Sequence, residues 1–171
     1  MIGTTPPVGG PRRRALLAAA GQGALLGIAG AAVMTAGEKA EQAVTGRPDS
    51  YVPGRTLMTL AGRRPPDRTQ PPGWNLAMHY GTGAVFGALR GVWSVLGLQG
   101  PHAHVAATVV RLAFDQTVEN ATGIGAPPPT WPVREQVVDV LHKTVYTVVT
   151  GLLTDRTIAP VLQSRAGTTS H

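Results

Sequence analysis

Two long runs without a formal charge constrain the fold of this chain more than any other feature. Ala15–Gly37 has 23 residues with no Asp, Glu, Lys or Arg, and Thr69–Leu89 has 21. Since a helix rises about 1.5 Å per residue, either run can cross a hydrocarbon core about 30 Å thick. The sequence therefore predicts at least two membrane-spanning helices.

The composition agrees with this expectation. Only 14% of the 171 residues are charged and 5% are aromatic, which disfavours an all-β core and suits one small helical domain. The chain has no cysteine, so it has no disulfide, thiolate nucleophile or Cys-based zinc site. The net charge of +6 comes mostly from arginines that flank the apolar runs, without interleaved aromatic residues. This pattern fits anionic lipid headgroups, so we expect the lipid bilayer and not nucleic acid as partner.

Helical patterning and turn residues predict an all-α protein, a four-helix antiparallel transmembrane bundle. A short surface helix is expected in the first loop, within Pro53–Gly62. The segments are a flexible basic tail 1–14, one membrane domain 15–159 with helices at about 15–45, 73–98, 102–121 and 133–155, and a disordered tail 160–171. Helices three and four carry charged stripes that must face the interior or water, so two crossings are the alternative to four.

The orientation depends on the basic residues. A four-span arrangement puts six Lys or Arg on one side and seven on the other, so the total number of basic residues does not set the orientation. The compact triplet Arg12–Arg14 before the first helix instead predicts that both termini are cytoplasmic. Arg13 and Arg14 before an Ala-rich stretch also resemble a twin-arginine export signal. An exported soluble helical domain with a cleaved signal is therefore a second alternative.

Ionisable residues gather toward one end of the expected bundle. The cluster consists of Glu38, His79, Arg111, Asp115, Glu119, Asp139 and His142. Counting inward at about 1.5 Å per residue places most of them about 9–15 Å deep, with Glu119 shallower. Arg111, Asp115 and Glu119 are spaced by four and can pair along one helix face, while Asp139 can orient the imidazole of His142.

Several interpretations of this cluster remain open. Glu38, His79, Asp115 and His142 are the candidate ligands for a divalent metal such as zinc or iron. A proton relay, a polar-ligand pocket and a purely structural network are the alternatives. The last is favoured, so neither a catalytic residue nor a cofactor is expected, and the protein is interpreted as non-enzymatic.

Glycines recur every four residues in the first two long helices. Gly23 and Gly27 in the first, with Gly83, Gly87 and Gly91 in the second, lay smooth stripes that favour close helix packing. No strand precedes Gly83, so a nucleotide-binding loop is excluded. The stripes can pack within one chain or between chains, so they also predict a homo-oligomer as an alternative.

The order of these elements resembles that of YagU-type proteins, a bacterial inner-membrane family of poorly defined function. The similarity is carried by Ala36–Glu38 at the end of the first helix, Val52–Leu60, Met78–Gly81, the Gly/Pro-rich loop Gly123–Pro132 and the acid-and-His segment Glu135–His142.

The resemblance, over about residues 15–158, implies a multi-pass protein of the bacterial cytoplasmic membrane linked to survival at low pH. It implies no catalytic activity. One position departs from the pattern: the resemblance implies a Glu four residues before His142, but Val138 stands there and Asp139 follows. The partner of His142 is therefore open.

Overall fold

The computed structural model describes residues 10–163, and within them the chain is all-α, with no strand. This confirms the all-α part of the predicted fold class. The helices are α1 Gly10–Thr45, α2 Val52–Leu60, α3 Pro72–Val95, α4 Pro101–Ala121 and α5 Val133–Thr157, with a 3-10 turn at Pro128–Thr130.

Proline and glycine set the helix boundaries. Pro72 and Pro101 open α3 and α4, where the missing N–H would have had no helical partner. Beyond the ends of α1 to α4 the backbone turns at Gly46, Gly62, Gly97 and Gly123, whose φ angles are 70°, 76°, 91° and 73°. Only glycine adopts this left-handed conformation without a steric cost, so these residues stop the helices.

α1 and α3 pack backbone to backbone along the glycine stripes. A Cβ added to Gly27 would lie 2.6 Å from the Cα of Gly87, and one added to Gly83 would lie 2.8 Å from the Cβ of Ala31. Contact positions rise along α1 as they fall along α3, so the two helices are antiparallel. The stripes are used within the chain, and a homo-oligomer would need another surface.

α5 packs against both α1 and α4. The side chain of Thr150 occupies the space left by Gly30, and Tyr146 packs with Ala31 and Met34. The hydroxyls of Thr108 and Thr147 lie 2.6 Å apart and join α4 to α5. In this arrangement, successive long helices run in opposite directions.

The distribution of polar and apolar side chains is inverted relative to that of a water-soluble domain. Among residues 10–163, leaving out glycine and proline, 11 polar or charged side chains are buried against 8 apolar ones, so polar side chains outnumber apolar ones in the interior. The fully buried ones include Thr56, Ser94, Thr150 and Thr154. Large apolar side chains point outward on every long helix, as in Leu25, Val85, Val109 and Leu141, which are 69%, 64%, 59% and 53% exposed.

The ends of the described chain differ from expectation. α1 begins at Gly10, so the triplet Arg12–Arg14 is helical and not part of a flexible tail. At the other end the chain folds back on α3, and the N–H of Leu162 donates to the carbonyl of Val95 at 2.9 Å. α3 itself ends at Val95, three residues before the predicted end at residue 98. The remainder of both predicted tails, 1–9 and 164–171, lies outside the described residues.

Within residues 10–163, α1 is the one helix that is both long and apolar enough to cross a membrane by composition. Its most apolar window has a mean hydropathy of 1.7, and only 28% of that window is buried in the protein. Among the helices of the predicted multi-pass arrangement, α1 is therefore the one whose composition directly supports a membrane crossing.

Candidate functional site

A cavity of about 430 Å³ lies where α1 and α4 end and α3 and α5 begin. All seven residues of the predicted cluster line it: Glu38, His79, Arg111, Asp115, Glu119, Asp139 and His142. The loop before α5 contributes Ile124–Ala126 and Trp131 to the same wall. The alternating helix directions bring these residues together, although they are far apart in the sequence.

Arg111 is the centre of the buried network. Its Nε donates to Asp115 Oδ2 at 2.8 Å, and its Nη2 donates to the hydroxyl of Thr82 at 2.8 Å. The guanidinium lies over the rings of Phe86 and Tyr146, with centroid distances of 5.0 and 5.1 Å. These contacts offset the free-energy cost of removing the charged guanidinium from water. The predicted pairing along α4 therefore includes Arg111 and Asp115, but not Glu119.

Lys143 belongs to the cluster but was not among the predicted residues. Its Nζ bonds to the carboxylate of Asp139 and lies 3.6 Å from Asp115 Oδ2. Asp139 is thus paired with Lys143, and the expectation that it orients His142 is not met. The spacing of four residues between Asp139 and Lys143 could have shown this pair from the sequence.

Arg47 closes the rim of the cavity from the loop after α1. It lies 2.8 Å from Glu41, 3.8 Å from Glu38 and 4.0 Å from Glu135, so it joins the end of α1 to the start of α5. The sequence placed Arg47 in a connecting loop and gave no sign of this role. The contact with Arg47 lowers the pKa of the Glu41 carboxyl.

This rim is expected to weaken in acid. Contact with Lys39 lowers the pKa of Asp49, just as contact with Arg47 lowers that of Glu41. Both pairs therefore stabilise the fold above the ordinary carboxyl pKa of about 4. They lose that contribution as the pH falls through the lowered pKa values of the folded state. An NMR titration should give both pKa values below the ordinary ones. Arg47→Gln should raise the Glu41 value and leave Asp49 low; a Glu41 pKa unchanged in this variant would contradict the pairing.

Glu119 differs from the other acids of the cavity. Its side chain is only 8% exposed and lines the cavity, yet its carboxylate has no hydrogen-bond or ion-pair partner among residues 10–163. Its backbone carbonyl accepts from the N–H of Gly125 at 3.0 Å, so the loop folds over it. A Cβ on Gly125 would lie 2.8 Å from the Cβ of Glu119, and only glycine leaves room there.

The structure gives no support to a metal centre. The candidate ligands Glu38, His79, Asp115 and His142 all line the cavity. Nevertheless, residues 10–163 contain no group of three or more His, Cys, Asp or Glu side chains placed to hold a metal ion. Asp115 is instead engaged by Arg111.

A second polar network lies at the opposite end of the helices. Arg90 donates to Asp155 at 2.6 Å and to the hydroxyl of Ser94 at 2.7 Å, and Asp155 also accepts the N–H of Gly100 at 2.9 Å. His104 Nε2 lies 4.0 Å from Asp155. Arg90 is therefore paired within a network of its own, at the end of the helices opposite to the cavity.

Comparison with protein-family models, curated proteins and solved structures finds no match to this chain. The fold and the site define it as an all-α protein with a cavity between its long helices that ionisable side chains line. The resemblance to YagU-type proteins, and the link to acid survival that it implies, stay predictions.

Proposed function

We propose that this chain is a small polytopic integral membrane protein, a transmembrane bundle of α1, α3, α4 and α5 around a polar binding cavity. The inverted side-chain distribution carries the proposal, since large apolar residues are exposed on all four helices. The buried side chains, in contrast, include five charged ones: Arg90, Arg111, Asp115, Glu119 and Lys143. In a bilayer an outward apolar surface is solvated by lipid, and interior polar groups pair with one another. In water the same surface would be an extended exposed apolar patch.

Helix length supports four crossings. α3, α4 and α5 have 24, 21 and 25 residues, which at about 1.5 Å per residue gives roughly 31–37 Å, enough for a core about 30 Å thick. The mean hydropathy of these helices is lowered by residues such as Arg111 and Lys143, which the bundle would hide from lipid.

The packing of α1 argues against the exported alternative. Removing α1 as a signal would uncover Gly83 and Gly87, which lie directly against its backbone. It would also remove Met34 and Glu38 from the cavity wall. A retained α1 is therefore part of the proposal, as are cytoplasmic termini in a bacterial cytoplasmic membrane.

The role proposed for the cavity is binding and not catalysis. Its volume of about 430 Å³ falls within the ordinary range for small-molecule sites, about 300–1,000 Å³. Arg111, Lys143 and Arg47 are already held by carboxylates, which gives the cavity a fixed polar wall. We assign no reaction to it.

Single-cysteine labelling tests the membrane proposal, because the natural chain has no cysteine. Leu25→Cys, Val85→Cys, Val109→Cys and Leu141→Cys place one thiol on the exposed face of each long helix. In permeabilised membranes these thiols should resist a water-soluble maleimide, while Asp67→Cys, at a fully exposed loop side chain, should react.

All five variants should react after denaturation in SDS, and the protein should stay in the pellet after a carbonate wash. Helix thiols that react in membranes as fast as Asp67→Cys, together with release by carbonate, would contradict the proposal and favour the soluble alternative.

A further inference from the structure

The carboxylate of Glu119 is the feature of the cavity that the structural network does not explain. It is buried, faces the cavity and has no side-chain partner within residues 10–163. A buried charge without a partner is costly, and a ligand of opposite charge offsets that cost when it binds. We propose that Glu119 is the counter-charge of a binding site for a small organic cation with an ammonium group.

The charge balance of the cavity favours a cation over an anion. Five carboxyl groups line it, from Glu38, Asp115, Glu119, Glu135 and Asp139, against three cations, Arg47, Arg111 and Lys143. With every carboxyl ionised and the histidines neutral, the cavity carries an excess of two negative charges. Each cation already has a carboxylate within 2.8 Å. An anion would compete with these pairs, whereas an ammonium group meets a carboxylate that is free.

Trp131 supplies a second element of the site. It lines the same cavity, and its Nε1 donates to the carbonyl of Ala126 at 2.8 Å, which fixes the ring on the loop that also covers Glu119 through Gly125. An indole face attracts ammonium groups, most strongly when water is excluded. A metal ion is disfavoured because no three-ligand group is present in the described part of the chain.

This inference rests on the proposed function, since it names the ligand class of the same cavity. The test is calorimetric titration of the full chain in phosphatidylglycerol nanodiscs with tetramethylammonium and ethanolammonium chlorides. Glu119→Gln should weaken binding by about tenfold or more, because it removes a charged partner. Glu135→Gln, a matched acid of the same cavity that is paired with Arg47, should weaken it less than about fivefold.

Trp131→Leu tests the site independently of the carboxylate, and should weaken tetramethylammonium binding by about fivefold. No heat with the wild-type protein, or equal binding by wild type and a folded Glu119→Gln, would overturn the inference. Equal binding of potassium chloride would also overturn it, in favour of an inorganic cation.

The lipid composition of the nanodisc distinguishes two possible sources of the ammonium group. If phosphatidylethanolamine in the nanodisc competes with ethanolammonium, the natural ligand is a lipid headgroup; if it does not, the ligand is a soluble amine. Labelling of the single-cysteine variants in the same nanodiscs separates the two hypotheses: if the variants show a membrane-embedded protein but the wild type binds neither probe, the ligand assignment alone is lost.

Discussion

Gly87→Ala is expected to destabilise the protein by roughly 3 kcal/mol, the upper range for overpacked sites. The new Cβ would lie 2.6 Å from the Cα of Gly27, and the clash is with the backbone, which cannot change rotamer. The two helices would have to separate along the whole stripe. Thermal unfolding in detergent, followed by circular dichroism, should show a fall in Tm of roughly 10 °C.

Gly81→Ala is the matched control on the same helix. No atom lies within 4 Å of a Cβ added there, so the substitution should be neutral or should stabilise the protein by up to about 1 kcal/mol through helix propensity. If the two alanine variants unfold at the same temperature, the close approach of α1 and α3 is not a determinant of stability.

Arg111→Met is expected to destabilise the protein by about 3–5 kcal/mol, the range for removing one partner of a buried ion pair. Asp115 would lose its 2.8 Å hydrogen bond and keep only Lys143, at 3.6 Å. Equilibrium unfolding in detergent with increasing SDS measures the change. Arg111→Lys should recover little, because an ammonium cannot bond Asp115 and Thr82 in the same planar geometry.

The double variant Arg111→Met, Asp115→Leu separates an unpaired charge from lost packing. Since both charges are removed, it should regain at least half of the stability lost in Arg111→Met. Equal stability of the single and double variants would show that the contacts of Arg111 with Phe86 and Tyr146 matter more than the charge of Asp115.

Many of the ionisable residues that line the cavity could be predicted from the depth of each residue along its helix. Once the chain alternates direction, residues near the ends of α1 and α4 share a level with residues near the starts of α3 and α5. This argument identified six lining residues without knowledge of any contact, and the spacing of Asp139 from His142 added a seventh. It failed for the pairings, because which carboxylate meets which cation depends on helix rotation. Asp139 therefore bonds to Lys143, and Arg90 finds Asp155 at a distance of 65 positions.

By itself the sequence determined the all-α class, the order of the helices and the spacing of the glycine stripes, because these follow from local periodicity and from turn residues. Only the tertiary structure decided that Gly27 lies on Gly87 and that Arg47 closes the rim. It also decided that the Glu119 carboxylate has no side-chain partner among the residues described. The physical reason is that contacts between distant segments depend on how each helix is rotated and how far it has slid against its neighbours, and neither quantity is encoded in a local pattern.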